Sequence, residues 1–398
     1  MAPRATDLAR RFEAVRSRTS ELCAPLSVED QLVQPMADAS PTKWHLAHTA
    51  WFFETLVLGD AVFDPAFAYL FNSYYETLGA RVQRGRRGLL SRPSLERVHA
   101  YRTDVDRRVL HALVEDRLDA AALDRLEVGL HHEEQHQELI LTDLKYVLGT
   151  QPLRPAYRDD LARPVGVSAA QTWRDFPGGI AEIGAPATGF AFDNERPRHR
   201  VLTQAFQLAS RPVANAEVAA FVADGCYREP RLWLSDGWAL VQAEQWQAPL
   251  YWDGGSLFDL TGMRAIDPAE TACHLSYYEA DAIARWLGAR LPTEAEWEVA
   301  ATGAPVADHD RLHPSDSGAF GEVWEWTASS YAAYPGYRPL AGALGEYNGK
   351  FMSGQQVLRG GSCFTPKGHA RPSYRNFFPP SARWQMTGVR LARDLENR

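Results

Sequence analysis

One stretch of the sequence has the composition of a metal-binding helix, LEVGLHHEEQHQELILTDLKYVL at residues 126–148. Residues four apart on an α-helix differ by about 40° around its axis, so His132 and His136 project from one face. Imidazoles directed into a core need partners for their nitrogens. A metal ion is one such partner, and carboxylates are the alternative. The pattern also fits H-E-x-x-H, in which Glu133 would be the general base of a zinc hydrolase.

A third histidine comes from PTKWHLAHTAWFFETL, residues 41–56. His48 shares a helical face with Trp44 and Trp51, whereas His45 is displaced from that aromatic stripe. We therefore predict that His48 completes a three-histidine site and that His45 is a hydrogen-bonding neighbour. Three neutral histidines would bind a divalent ion on one side and leave its other positions open for chemistry. Zinc hydrolysis and oxygen activation by ferrous iron both fit this spacing.

The composition predicts a cytoplasmic two-domain protein. The chain has 398 residues, 45% hydrophobic and 23% charged, and a net charge of −8. It has no long basic run that would favour nucleic acid and no apolar segment that would span a membrane. Its four cysteines form no CxxC pair, which is typical of free thiols in a reducing compartment.

The spacing of apolar residues predicts that the first 150 residues form a four-helix bundle. The predicted helices cover residues 5–22, 41–58, 94–116 and 120–148. Residues 59–93 interrupt them as a long loop, and long loops in compact domains are commonly functional. A proline-rich linker follows at 151–173. The rest, 174–398, predicts an α+β domain with short strands and brief helices at 215–224, 276–288 and 293–301.

With LAH at residues 46–48 and the H-E-E-Q-H run, the first half resembles the ergothioneine sulfoxide synthases, which have a DinB-like metal-binding bundle. The second half resembles the C-type-lectin-related, formylglycine-generating-enzyme-like domain that is fused to that bundle in these enzymes. The motifs that carry this resemblance are PGGIAEIGA (177–185), FDNERPRHRV (192–201), RLPTEAEWEVAA (290–301), GEVWEWTAS (321–329) and VLRGGSC (357–363).

The resemblance implies a non-haem Fe(II) enzyme that uses O2. Its substrates would be hercynine, which is trimethylated histidine, and a thiol. The enzyme would join sulfur to the imidazole C-2 and oxidise it to a sulfoxide in ergothioneine biosynthesis. His48, His132 and His136 match the iron ligands of the family.

The resemblance also implies residues that bind hercynine. Gln135 matches the glutamine that hydrogen-bonds its imidazole. Asn376, Phe377 and Phe378, in RPSYRNFFPP, match the positions that bind its amino-acid end. Aromatic faces suit a trimethylammonium group, because a cation–π contact needs no hydrogen bond.

The loop 59–93 supplies the remaining implied residues. Tyr74 and Tyr75 match a catalytic tyrosine pair of one branch of the family, and a phenol there can protonate a reduced oxygen species. Arg84 and Arg87 match an arginine pair that holds the carboxylate of the thiol substrate, a use to which guanidinium forks are suited.

Two features bear on which donor the enzyme uses. Enzymes that take γ-glutamylcysteine have an acidic residue where this chain has Phe378, so free cysteine is the expected thiol. The similar selenoneine synthases take a selenosugar, which has no carboxylate for Arg84 and Arg87 to bind. That alternative stays open, because a guanidinium also donates to sugar hydroxyls. A zinc hydrolase is the more distant alternative.

Overall fold

The computed structural model describes residues 3–59, 62–161, 170–304, 306, 312–315 and 320–395. The chain forms two compact units. The first contains Met1–Arg158 together with Ala341–Tyr347, and the second contains Asp159–Leu340 together with Asn348–Arg398. Residues 162–169 of the predicted linker lie outside the described residues.

The predicted four-helix bundle is confirmed in the first unit. Its helices are α1 (Pro3–Cys23), α2 (Thr42–Phe52), the short α3 (Phe67–Phe71), α4 (Leu95–Val114) and α5 (Ala120–Thr150). Helix α1 packs on α5, and α2 packs on both α4 and α5. The side chains of Ser94 and Asp119 cap the first turns of α4 and α5, where unpaired backbone N–H groups need acceptors.

The bundle is interrupted where α2 gives way to the long loop. Residues Phe53–Leu58 continue α2 as a π-helix, which ends at Gly59 in the left-handed conformation. π-Helical turns inside helices are frequent at functional sites. The loop then contains two 3₁₀ turns, Glu76–Leu78 and Arg84–Leu89. Among the described residues, no helix is both long and apolar enough to cross a lipid bilayer.

The second unit is α+β, as predicted. Its helices are α6 (Asn215–Ala223), α7 (Ser235–Glu244), α8 (Tyr277–Trp286) and α9 (Glu294–Ala301). The three predicted brief helices correspond to α6, α8 and α9. Helix α7 was not predicted, because its sequence SDGWALVQAE has a glycine in the first turn and its N-cap residue makes no side-chain cap.

Among the described residues of the second unit, twelve short strands form the sheets. They are β1 (Trp173–Phe176), β2 (Gly179–Ile183), β3 (His199–Thr203), β4 (Phe206–Ala209), β5 (Trp252–Asp253), β6 (Ser256–Asp259), β7 (Gly262–Ala265), β8 (Trp324–Ser330), β9 (Gln356–Arg359), β10 (Asn376–Phe378), β11 (Thr387–Gly388) and β12 (Ala392–Asp394). The strand orders are β1-β4-β12, β10-β9-β8-β11, β2-β3 and β5-β6-β7.

The core of this unit contains the tryptophans of the GEVWEWTAS motif. Trp324 and Trp326 on β8 are buried, and Trp326 pairs with Leu358 on β9. Between them on the strand, the buried Glu325 accepts from the Arg390 guanidinium at 3.0 Å and from the Trp297 indole N–H at 2.6 Å. The motif is therefore structural, with a buried carboxylate fully bonded inside an aromatic core.

Candidate metal centre

Helices α2 and α5 bring three histidines together in the first unit. One side-chain nitrogen from each of His48, His132 and His136 lies within 4.8 Å of the others, and all three residues are buried. The spacing on α5 produces this arrangement, because His132 and His136 are one helical turn apart and share a face. The structure thus brings together the three residues predicted as metal ligands.

The ring of His48 is fixed on both faces and at one nitrogen. Its ring stacks on Trp44 at 4.6 Å and on Trp51 at 5.5 Å, with interplanar angles of 14° and 17°. The aromatic stripe predicted from the sequence is therefore a stack of three rings in the structure. Nδ1 of His48 bonds the carbonyl oxygen of Phe71 at 2.6 Å, so it carries the hydrogen. Its Nε2 has no hydrogen-bond partner among the described residues and offers a lone pair.

The ring of His132 stacks on Phe52 at 4.4 Å, and within the described parts of the chain neither of its nitrogens has a hydrogen-bond partner. Gly129, one turn earlier, permits this contact. A Cβ at Gly129 would lie 2.5 Å from Phe53 and 3.0 Å from Phe52. Only a glycine lets α5 approach these rings so closely.

His136 is bonded to a second histidine. Its Nδ1 lies 2.8 Å from Nδ1 of His45, and Nε2 of His45 lies 3.1 Å from Oδ2 of Asp143. Burial lowers the pKa of His45. Asp143 follows His136 by seven residues on α5, which places the two on one helical face.

The three candidate ligands are neutral imidazoles. Burial lowers the pKa of His132 to about 3. Burial, together with the neighbouring histidines, lowers the pKa values of His48 and His136 well below their usual value. A neutral imidazole has a lone pair that can bind a metal ion.

Glu133, the general base of the zinc-hydrolase alternative, is hydrogen-bonded to side chains of α1 and α4. Its Oε2 accepts from Arg16 at 2.8 Å, and its Oε1 accepts from Thr19 at 2.7 Å and from Arg102 at 3.0 Å. The side chain is 0% exposed. Burial opposes ionisation, but the arginines outweigh it and lower the pKa of Glu133. A carboxylate held by two arginines inside the bundle is a poor base for metal-bound water.

Tyr74 and Tyr75 lie in the loop beside the histidines. Tyr75 is 0% exposed and its ring lies 5.6 Å from Trp51. Burial, with the neighbouring Tyr74 and Tyr347, raises the pKa of Tyr75 well above its usual value. The ring of Tyr74 lies 4.9 Å from that of Tyr75 and is half-buried. The Tyr75 phenol therefore keeps its proton at neutral pH.

Tyr347 is a site residue that the sequence did not reveal. It belongs to the segment Ala341–Tyr347, which lies in the first unit although it comes from the second half of the chain. Its ring lies 5.7 Å from that of His132, and its hydroxyl donates a hydrogen bond to Oε1 of Gln135. No local pattern around Tyr347 signals this contact across 212 positions of sequence.

Glu346 anchors the same segment to the long loop. Its carboxylate accepts from the backbone N–H of Glu76 at 2.9 Å and from that of Thr77 at 3.0 Å. The Thr77 hydroxyl also donates to it at 2.6 Å. A carboxylate suits the start of a 3₁₀ turn, because the first backbone N–H groups have no acceptor within the turn. Glu346 therefore holds Tyr347 beside Tyr74, whose ring lies 6.0 Å away.

The two predicted donor-binding arginines differ in environment. Arg84 is exposed, whereas Arg87 is buried. The Arg87 guanidinium donates to the hydroxyls of Ser40 and Ser73 at 2.9 and 3.1 Å. It also lies over the Trp44 ring. Burial lowers the pKa of Arg87 to about 9. The structure does not present the two arginines as an equivalent pair.

Asn376, Phe377 and Phe378 form strand β10 of the second unit. Phe377 stacks on Tyr331 at 4.1 Å and lies 5.8 Å from Phe351. Side chains alternate along a strand, so Asn376 and Phe378 share the face opposite to Phe377. All three residues are half-buried.

The histidine set fits a divalent metal ion. It offers three neutral nitrogen donors within reach of one centre, and the Nε2 of His48 and both nitrogens of His132 lack any other partner in the described parts of the chain. Orphaned polar atoms at the core of a bundle are costly unless a ligand satisfies them. Imidazole donors suit zinc, copper, iron and nickel, so the donor set does not by itself choose the metal.

Two sequence families match the chain. The DinB superfamily matches residues 11–140, and the Sulfatase-modifying factor enzyme 1-like domain matches residues 168–318 and 309–395. Both matches agree with the two-part organisation predicted from the sequence.

Curated relatives match the chain over nearly its whole length. A hercynine oxygenase of Mycolicibacterium thermoresistibile is 34% identical over 448 residues, which cover 99% of this chain and 96% of that protein. The hercynine oxygenase of Mycolicibacterium smegmatis is 32% identical over 89% of this chain and 91% of its own length. That of Mycobacterium tuberculosis is 32% identical over 97% of this chain and 96% of its own length.

Proposed function

The chain belongs to the hercynine oxygenase family, and on this premise we propose that it is a non-haem Fe(II), O2-dependent synthase that forms a carbon–sulfur bond at C-2 of hercynine. The thiol is cysteine, and the product is hercynylcysteine sulfoxide. The balance closes: the imidazole C–H and the thiol S–H each lose a hydrogen, one oxygen atom enters the sulfoxide, and the other leaves as water.

The observation that carries this proposal is the buried three-histidine set, together with a Glu133 carboxylate whose two oxygens are already bonded. A hydrolytic metal centre of the H-E-x-x-H type needs that glutamate next to metal-bound water. Here two arginines and a threonine occupy both carboxylate oxygens. Bound Fe(II) would supply coordination of the thiolate and activation of O2, for which three neutral ligands leave positions open.

Gln135 positions hercynine in this proposal. Its Oε1 accepts from the Tyr347 hydroxyl, so the amide N–H₂ is the end that donates to the hercynine imidazole. A donor there favours the neutral imidazole with its lone pair on that nitrogen. Asn376, Phe377 and Phe378 remain the proposed residues for the amino-acid end. Aromatic rings suit its trimethylammonium group.

The phenols of Tyr74, Tyr75 and Tyr347 are the proposed proton donors to reduced oxygen. Burial keeps Tyr75 protonated. Tyr347 directly follows Glu346, which attaches this segment to the long loop. A neutral phenol adds no charge to the site before it transfers its proton. Replacing each in turn with phenylalanine and comparing sulfoxide with sulfinate formed from cysteine would identify the donor.

Arg84 supports cysteine as the thiol over γ-glutamylcysteine. Because Arg87 is already bonded to two serine hydroxyls, Arg84 is the exposed guanidinium of the predicted pair. One guanidinium matches the single carboxylate of cysteine, whereas γ-glutamylcysteine has two carboxylates. A selenosugar with hercynine, giving selenoneine, is the alternative donor reaction, because Arg84 can also donate to sugar hydroxyls.

One experiment separates these reactions. The full chain is reconstituted anaerobically with Fe(II) and offered hercynine with cysteine, with γ-glutamylcysteine or with selenoglucose, and O2 uptake and product mass are measured after air is admitted. We expect the sulfoxide adduct from cysteine. The His48→Ala variant and the zinc-loaded enzyme serve as controls. The proposal fails if hercynine consumes O2 with none of the three donors, or if the zinc-loaded enzyme forms product without O2.

A further inference from the structure

A line of buried hydrogen bonds connects the two helices that supply the histidines. Asp143 Oδ2 lies 3.1 Å from His45 Nε2, and His45 Nδ1 lies 2.8 Å from His136 Nδ1. Exposed fractions are 2% for His45 and Asp143 and 8% for His136. Asp143 Oδ2 also accepts from the backbone N–H of Ser40 at 2.8 Å. The contacts are therefore shielded from water along their length.

These contacts determine where the hydrogens lie. Asp143 accepts from the Ser40 N–H, and it faces His45 with the same oxygen, so His45 Nε2 carries the hydrogen and donates. A neutral imidazole has one donor and one acceptor nitrogen, so His45 Nδ1 accepts. His136 must then donate from its Nδ1. Its lone pair is left on Nε2.

We propose that His45 and Asp143 are positioning residues that hold His136 in the Nδ1–H tautomer and direct its Nε2 lone pair at the metal ion. The inference rests on the three-histidine metal site of the proposed function and is independent of the substrate. A ligating histidine that donates its other N–H to an acceptor is fixed in orientation and is a stronger base. Here a second imidazole, itself backed by a carboxylate, is that acceptor.

The arrangement is built from the helical repeat of two elements. Helix α5 supplies both the ligand and, seven residues later, the carboxylate. Helix α2 supplies His45 three residues before the ligand His48. Because α2 and α5 pack directly on each other, the packing of these two helices forms the line. The affinity of the site for a metal ion should therefore depend on His45 and Asp143 although neither is a ligand.

Metal affinity of the full chain tests this role. Co²⁺ is titrated into the metal-free protein and followed by its visible absorption, for the wild type and for His45→Phe, His45→Asn and Asp143→Asn. We expect His45→Phe to weaken Co²⁺ binding about 10–100-fold. His45→Asn keeps an acceptor near the Nδ1 position and should recover part of that loss. Asp143→Asn keeps the shape but removes the charge and should be intermediate.

A matched control removes a buried hydrogen bond of the same bundle away from the histidines. The Tyr101 hydroxyl donates to Glu54 at 2.7 Å, so Tyr101→Phe loses one buried bond without touching the line. It should bind Co²⁺ as the wild type does. Equal losses of affinity in Tyr101→Phe and His45→Phe would show a general structural effect and overturn the proposal.

A spectroscopic measurement tests the tautomer directly. In ¹⁵N-labelled, Zn²⁺-loaded protein, the His136 ring should show a protonated Nδ1 and a metal-bound Nε2, and this signature should change in His45→Phe. A protonated Nε2 on His136, or unchanged Co²⁺ affinity in His45→Phe, overturns the proposal while the metal site stands. If His136→Ala binds Co²⁺ as tightly as the wild type, the metal site itself fails, and the proposed function fails with it.

Discussion

The guanidinium carbon of Arg87 lies 3.4 Å from the centre of the Trp44 ring, whose other face carries the candidate ligand His48 at 4.6 Å. Cation, indole and imidazole thus form one stack, which continues to Trp51. The stack joins the long loop to α2, because Arg87 lies in the 3₁₀ turn Arg84–Leu89. Arg87 therefore holds the shape of the site whether or not it also contacts a substrate.

This stack predicts opposite behaviour for the two arginines. Arg87→Ala removes the stack and two hydrogen bonds to serine hydroxyls, so the free energy of unfolding should fall by about 2–4 kcal/mol. Arg84→Ala is an exposed change and should stay within about 0.5 kcal/mol of the wild type. Its effect should be a higher KM for cysteine. Chemical denaturation and initial rates measure the two effects. A large loss of stability in Arg84→Ala would contradict the assignment.

Glu133 predicts a pH-dependent contribution to stability. Because the arginines lower its pKa in the folded protein, its contribution is complete above its unfolded pKa of about 4.5 and is lost as the pH falls through the folded value. Glu133→Gln leaves Arg16 and Arg102 without their shared carboxylate, and should cost about 3–5 kcal/mol at pH 7.

The Glu133→Gln variant should also lack the corresponding loss of stability in acid, which urea denaturation between pH 3 and 7 measures. Its folded fraction should still form the sulfoxide. Thr19→Val, which removes the hydrogen bonds of this hydroxyl to Glu133, Val15 and Gln137 but no charge, is the matched control. A Glu133→Gln variant with normal stability and no activity would instead favour a catalytic role for the glutamate.

At Gly129 we expect alanine to destabilise the helix, contrary to its usual effect. Alanine in place of glycine inside a helix is usually stabilising by about 1 kcal/mol. Here the added Cβ would lie 2.5 Å from the Phe53 ring, so Gly129→Ala should destabilise the chain by about 1–3 kcal/mol. Because Phe52 supports His132, Co²⁺ affinity should fall as well.

A compensating change tests the cause of the Gly129→Ala effect. Phe53→Leu removes the ring atom that the new Cβ meets. The double variant should therefore be more stable than the sum of the two single-variant effects predicts. Thermal unfolding of the four proteins of this cycle measures the coupling. Strict additivity would show that the clash is not the cause.

The sequence predicted the long helices of the bundle and the three histidines that the structure brings together, because both depend on local periodicity. Apolar spacing marked α4 and α5, and the tryptophan stripe marked the face that His48 shares. The same periodicity could have identified Asp143. It follows His136 by seven residues, and a carboxylate on the same helical face is a plausible partner for a histidine.

Other parts of the site depend on contacts that no local pattern encodes. The carbonyl of Phe71 becomes an acceptor for His48 only because α3 ends beside α2. Tyr347 reaches Gln135 from a segment that returns to the helical unit, and Glu346 attaches that segment to the long loop. The enclosure of Arg87 depends on Ser40 and Trp44 from another element. Such pairings are properties of the folded chain.

The buried histidines predict how metal and pH together affect stability. The pKa of His132 is lowered to about 3, and those of His48 and His136 are lowered as well, so all three are neutral in the metal-free folded protein. In the unfolded chain they bind protons below about pH 6.5. The metal-free protein should therefore lose up to about 1.4 kcal/mol of stability per pH unit for each histidine as the pH falls below that value.

Bound metal should oppose this loss. At a free Co²⁺ concentration 100 times the Kd, the folded state gains about 2.7 kcal/mol, which chelation with EDTA should reverse. Thermal unfolding of the full chain at pH 5.5 and 7.5, with Co²⁺ and with EDTA, measures both effects. His48→Ala should lose the response to Co²⁺ and the part of the acid sensitivity that this histidine contributes. If His48→Ala responds to Co²⁺ as the wild type does, the ion binds elsewhere, and the three-histidine site is not a metal site.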